Sequence, residues 1–173
     1  MRKCLALLFA LLIAATSTQA AFAADAVFIM RHLQKADGAD PPLSAVGTAN
    51  AQALANMLAR SGIKAIFATP TRRAMQTAQP LAQKLGLNIT SYDAKDPQIL
   101  AREVAAIPGA VLIVGHSDTV PDLVARFGGK QPVAISEQDY GTVFVVANDG
   151  KVSQLKLPST PESCGPSCGV KRR

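Results

Sequence analysis

Residues 110–114, Ala-Val-Leu-Ile-Val, form the most apolar stretch outside the chain's first 23 residues, and Gly109 and Gly115 close it at both ends. A short apolar run between turn residues reads as a buried strand. Further strand patterns recur, all but the last two separated from the next by a helical pattern. Residues 26–30 read as a strand. Ser44 can cap a helix over 45–60, with Val46, Ala49, Ala53, Leu54, Met57 and Leu58 on one face and Gly62 as the stop. Residues 64–68 form a second strand. A helix follows over 72–85, with Pro80 able to kink it and Gly86 ending it. Residues 87–92 form a third strand. Asp96-Pro97 supplies a cap and a proline at the first helical position for a helix to about 107. After the 110–114 strand comes a helix over 120–127, closed by Gly128-Gly129. Strands at 142–147 and 151–157 flank the hairpin turn Asn148-Asp149-Gly150. Strands alternating with helices predict an α/β three-layer sandwich. Its sheet is mainly parallel with helices on both faces, and the last hairpin adds an antiparallel edge. Residues 128–135 read as a loop.

The chain begins differently. Arg2 and Lys3 precede an apolar run over 5–15, and Ala21-Phe22-Ala23 follows small and polar residues. This is the pattern of a secretory signal peptide. The expected organisation is a signal peptide at 1–23, one α/β domain at 24–157 and a tail at 158–173. The expected location is periplasmic or extracellular, and no segment of the mature chain is expected to span a membrane. Cleavage leaves 16 basic and 12 acidic side chains, a net charge of +4. That excess suits an anionic small molecule. With few aromatics and no dense basic stripe, it does not point to nucleic acid. Cys164 and Cys168 lie in the tail, where an oxidising compartment favours a local disulfide.

In open α/β sheets, ligands bind beyond the carboxyl ends of the strands. Three such ends carry informative residues. Arg31-His32 follows the first strand, Thr-Pro-Thr-Arg72-Arg73 the second, and Gly115-His116-Ser117 the 110–114 strand. The chain has two histidines, and both sit in this position. Guanidinium forks match phosphate oxygens. A neutral imidazole can attack phosphorus and hold the phosphoryl group covalently, while a second can stabilise the transferring oxygens. Helix N-termini after the strands would add backbone donors for an anion. Two histidines without an evident third ligand fall short of a metal site. The residues therefore read as phosphoryl transfer through a phosphohistidine, with no metal and no cofactor.

"RH" after the first strand, "TPTRRAMQTA" after the second and "VGHSDTVP" after the fourth, in this order, resemble the histidine phosphatase superfamily with its phosphoglycerate mutase-like fold. The resemblance spans about 26–157. It implies that His32 is the nucleophile, that Arg31 and Arg73 belong to the phosphate pocket, and that His116 is the second pocket histidine. Arg72 is then a solvated neighbour. Two positions depart from the family pattern: Leu33 stands where a small residue is common, and Gln34 where related small proteins often carry a carboxylate. The family's general acid usually follows the third strand. Asp93 is the best-placed candidate there, with a turn residue as the alternative. Asp118 is a second candidate, and Asp96 is better explained as a helix cap.

The expected function is an exported, metal-independent phosphatase acting on a phosphomonoester or related group. Little sequence remains for a capping insertion, which implies an open site and a bulky substrate such as a phosphorylated glycan or lipid head group. Two rivals stand beside it. A non-catalytic binder of phosphorylated ligands would keep the histidines and arginines but lack the acid, and a thiol-redox protein would use Cys164 and Cys168.

Overall fold

The computed structural model describes residues 24–158. The proposed signal peptide, Cys164 and Cys168 lie outside the described residues. Ten elements follow one another: β1 (Ala26–Arg31), α1 (Ala45–Leu58), β2 (Ile63–Ala68), α2 (Arg72–Leu85), β3 (Ile89–Ser91), α3 (Pro97–Ala105), β4 (Ala110–Gly115), α4 (Val120–Arg126), β5 (Thr142–Ala147) and β6 (Val152–Lys156). The six strands form one sheet in the order β3-β2-β4-β1-β5-β6. β1, β2, β3 and β4 pair in parallel. β5 pairs antiparallel with β1 and with β6. The α/β fold with a mainly parallel sheet and an antiparallel edge is thus the observed one.

The period of two along each strand divides the core. Phe28, Met30, Ile66, Ala68, Leu112 and Val114 face α1 and α2, where Leu54, Leu58, Ala78 and Leu81 cover them. Val27, Ile29, Phe67, Val111 and Ile113 face α3 and α4, under Leu100, Val104, Leu123 and Val124. β4 is buried along its whole length, because it lies between β2 and β1 with helices on both faces. No helix among the described residues is long and apolar enough to cross a membrane.

Local signals set most boundaries. Ser44 caps α1 by accepting from the Gly47 N–H, and Asp96 caps α3 by accepting from the Ile99 N–H. Gly86 ends α2 in the left-handed region at φ 66°, and the helix runs continuously through Pro80. The expected buried face of α1 needs correction. Leu54 and Leu58 are buried, but so are Gly47, Asn50, Ala51 and Ala55, whereas Ala49 is exposed. The segment after β1 packs on this helix and rotates its covered side. Asn50 Nδ2 donates to Gln34 Oε1 at 2.9 Å. A Cβ on Gly47 would lie 2.0 Å from the Gln34 carbonyl oxygen, so glycine allows this close approach. β3 is shorter than the expected 87–92, since it pairs on one side only, with β2.

Candidate active site

The parallel strands end at one edge of the sheet, and a cavity of about 350 Å³ opens there. Its walls are Arg31, His32, Lys35, Arg73, His116, Ser117, Asp118 and Glu137. The topology explains the gathering. β1 and β4 are adjacent and parallel, with Arg31 opposite Gly115, and β2 flanks β4 on its other side. Residues following all three strands must therefore emerge side by side.

His32 continues the ladder, its backbone N–H donating to Gly115 O at 2.9 Å. The residue is 2 % exposed. Its Nδ1 lies 2.8 Å from Leu33 O. A carbonyl oxygen only accepts, so Nδ1 carries the hydrogen and the Nε2 lone pair is left free. Burial, opposed in part by that hydrogen bond and reinforced by Arg31, Arg73 and His116, lowers the pKa from 6.5 to about 4. His32 is therefore neutral at pH 7.

Leu33 is fully buried in the core, and its N–H donates to Thr77 Oγ1 at 3.0 Å. Burying a leucine contributes roughly 1.5–3 kcal/mol. A large side chain at this position thus pins the backbone whose carbonyl orients His32, without entering the cavity. Gln34 also serves packing, through Asn50.

The His116 ring lies 5.4 Å from that of His32, in an edge-on arrangement. Its Nε2 shares a 2.9 Å hydrogen bond with Thr69 Oγ1, and its N–H donates to Thr119 Oγ1 at 2.9 Å. Burial and then Arg73 lower its pKa, with Asp118 pulling the other way. Thr69 directly follows β2. It opens the sequence stretch "TPTRRAMQTA".

Each of the two pocket arginines is held by a carboxylate. Arg73 Nη1 lies 3.5 Å from Asp40 Oδ1, and the same carboxylate accepts from the Arg72 N–H at 3.1 Å. Asp40 thereby occupies the α2 N-terminus that was expected to offer donors to an anion. Arg72 is exposed and does not line the cavity. Arg31 is 3 % exposed. Its Nη1 donates to Ser136 O at 3.0 Å, its Nη2 to Glu137 Oε2 at 2.8 Å, and its guanidinium lies 4.3 Å from the centre of the Tyr140 ring. The second oxygen of Glu137 accepts a hydrogen bond from Ser117 Oγ. Ser117 first and then Arg31 hold the Glu137 carboxyl below its ordinary range.

Asp93 is not among the cavity walls. Its Oδ1 accepts from the Lys95 N–H at 2.8 Å, closing a turn. It lines a separate hollow with Asp96, Leu100 and Glu103. β3 is an outer strand of the sheet, separated from β1 by β2 and β4, so a residue after its end emerges away from His32. Asp118 does line the cavity, and it also borders a smaller hollow of about 160 Å³ beside Tyr92 and Asp122. Among the described residues, no group of three His, Cys, Asp or Glu side chains is placed to hold a metal ion.

The model of the histidine phosphatase superfamily (branch 1) matches residues 28–94. The structure of the protein histidine phosphatase SixA complexed with tungstate is 24% identical, with a TM-score of 0.57 over 76% of this chain and 96% of that one. The family match covers less than half of the chain, and the likeness in structure shows the fold. A mycobacterial glucosyl-3-phosphoglycerate phosphatase shares the fold at 17% identity and a TM-score of 0.60, over 76% of this chain and 96% of that one. A phosphoserine phosphatase from Entamoeba histolytica, in complex with 3-phosphoglyceric acid, does so at 14% and 0.56, over 79% of this chain and 98% of that one. No curated protein matches the sequence.

Proposed function

We propose that this chain is a phosphatase that cleaves phosphomonoesters through a phosphohistidine on His32. The observation that carries the reading is the Nδ1 hydrogen bond to Leu33 O, which leaves a free lone pair on a neutral, buried ring beside two guanidiniums. In the first step Nε2 forms a bond to phosphorus. The ester P–O bond breaks, and its electron pair leaves with the alcohol oxygen, which takes up a proton. In the second step a water oxygen bonds to phosphorus after losing a proton. The N–P bond breaks, its electrons return to Nε2, and phosphate is released. Arg31 and Arg73 keep their charge throughout, and His116 stabilises the equatorial oxygens. No step is routed through a metal, so a chelator is expected to leave turnover unchanged.

A cavity of this size at an open sheet edge fits a phosphoryl group with a larger leaving group outside it. This supports a phosphorylated glycan or lipid head group as substrate. Arg2-Lys3, the apolar run after them and Ala21-Phe22-Ala23 support action outside the cytoplasm. Terminal sequencing of the secreted or periplasmic protein should find a start at Ala24, and an intact Met1 there would refute cleavage. The mechanism is tested by a rapid quench with a labelled phosphomonoester. Acid-labile, base-stable label is expected on His32. Label on Ser117 would overturn the scheme, and tight phosphate binding without any label would make the protein a non-catalytic binder.

A further inference from the structure

Arg31 is well placed for a phosphoryl group and yet is closed to one, because residues 136–140 cover it. Glu137 sits on its Nη2, Ser136 O on its Nη1 and Tyr140 against its face. A carboxylate on a guanidinium fork occupies the same donors that a phosphate would use. The Glu137 side chain is 70% exposed, and residues 127–141 contain no helix or strand. Its contact is therefore one that a stronger anion can displace.

We propose that Glu137 is the general acid–base of the reaction, and that it takes up this role only after the substrate's phosphoryl group has displaced its carboxylate from Arg31. The proposal rests on the phosphohistidine reading above. In this arrangement, the Ser117 hydrogen bond and then Arg31 keep Glu137 ionised. A carboxylate cannot donate a proton. A bound phosphate dianion uses up the charge of Arg31 and adds negative charge beside the displaced carboxylate, which favours its protonation from solvent. The groups facing Glu137 are Arg31 at the end of β1, His32 and Lys35 beyond it, Arg73 on α2, and His116, Ser117 and Asp118 after β4. Asp139 and Tyr140 lie on its own loop. The protonated Glu137 gives its proton to the departing alcohol oxygen as the P–O bond breaks. Its carboxylate then takes a proton from the water whose oxygen bonds to phosphorus. The two transfers balance over one turnover, and the proton returns to solvent when phosphate leaves and Arg31 recaptures the carboxylate.

The test compares the intact protein with Glu137→Gln and Asp118→Asn on an alkyl phosphate and on 4-nitrophenyl phosphate. Glu137→Gln should lower alkyl phosphate turnover by about a hundredfold or more and abolish the alkaline fall in its rate. With 4-nitrophenyl phosphate, whose leaving group needs no acid, the variant should still release a near-stoichiometric burst and then stall as labelled His32. Inorganic phosphate should inhibit it severalfold more tightly than the wild type, because no carboxylate competes for Arg31. Unchanged alkyl phosphate turnover in Glu137→Gln would overturn the assignment, as would the larger loss appearing in Asp118→Asn. Tighter phosphate inhibition alone would reduce Glu137 to a competitor for Arg31 and refute the acid–base role. Wild-type protein that turns over without label on His32 would refute the phosphohistidine reading instead, whatever the variants do.

Discussion

The two walls of the cavity hold their side chains by different means. Arg31 and His32 stand at the end of β1, a strand paired on both sides, and the His32 N–H extends that pairing. Leu33 locks the next residue into the core. Opposite them, Glu137 and Tyr140 hang from a segment without regular structure and meet Arg31 through side chains alone. A nucleophile must meet phosphorus in a fixed geometry, and a backbone ladder supplies that cheaply. A carboxylate that alternates between an arginine and a proton needs the opposite, a support it can leave.

The comparison breaks first at the rigid wall. His32→Ala should abolish both label and turnover while the protein stays folded, and any residual labelled histidine would refute the assignment. His116→Ala and Arg73→Ala should each reduce turnover by about a hundredfold, the scale of losing one electrostatic stabiliser. Steady-state kinetics on a folded variant decides it. A loss of less than about tenfold in both would mean that the strand-end wall is not where the oxygens are held.

This wall was also the part legible in sequence. Short apolar runs announced β1, β2 and β4, and the rule that ligands lie beyond strand ends led directly to Arg31, His32, Arg73 and His116. Glu137 escaped the same reasoning. It follows no strand, and "ISEQDY" has neither a helical nor an alternating period, so nothing local ties it to Arg31, 106 positions earlier. Asp93 lies outside the cavity for the converse reason. It does follow a strand, but strand order is a tertiary property, and β3 came out at the far edge of the sheet. The buried face of α1 was misread by the same blindness, since Gly47 and Asn50 face inward only because the Gln34 segment lies on them.

Acid should sharpen the contrast thermodynamically. Folding lowers the His32 pKa to about 4 from 6.5, so the unfolded chain binds its proton first. The resulting stability is fully present above pH 6.5 and is lost as pH falls toward 4. The penalty should amount to about 2–3 kcal/mol at pH 4. Urea unfolding of wild type and His32→Asn at pH 7 and pH 4.5 measures it. The wild type should lose more than the variant, and equal losses would mean that the ring is not buried neutral.

Packing behind the rigid wall gives a further test of similar or smaller size. Gly47→Ala places a methyl 2.0 Å from the Gln34 carbonyl oxygen. Alanine favours the helix, but a backbone atom must move to admit it. We expect a net loss of about 1–3 kcal/mol, read from the urea midpoint, with turnover falling as the chain after His32 shifts. An unchanged midpoint would show that the segment behind His32 yields easily, against the contrast between the walls.

The smallest effect is expected at Asp93. Its carboxylate accepts from the Lys95 N–H, and an asparagine side chain retains an oxygen that can do the same. Asp93→Asn should therefore alter stability by less than about 0.5 kcal/mol, as for most exposed substitutions. Turnover on alkyl and aryl phosphates should stay within about twofold, because the residue lines a different hollow from His32. Measured beside Glu137→Gln, this variant separates two placements of the acid. An acid that follows β3 would make Asp93→Asn slow on alkyl phosphates and leave Glu137→Gln unaffected. An acid carried by the loop wall predicts the reverse, and the leaving-group dependence of the two variants decides between them.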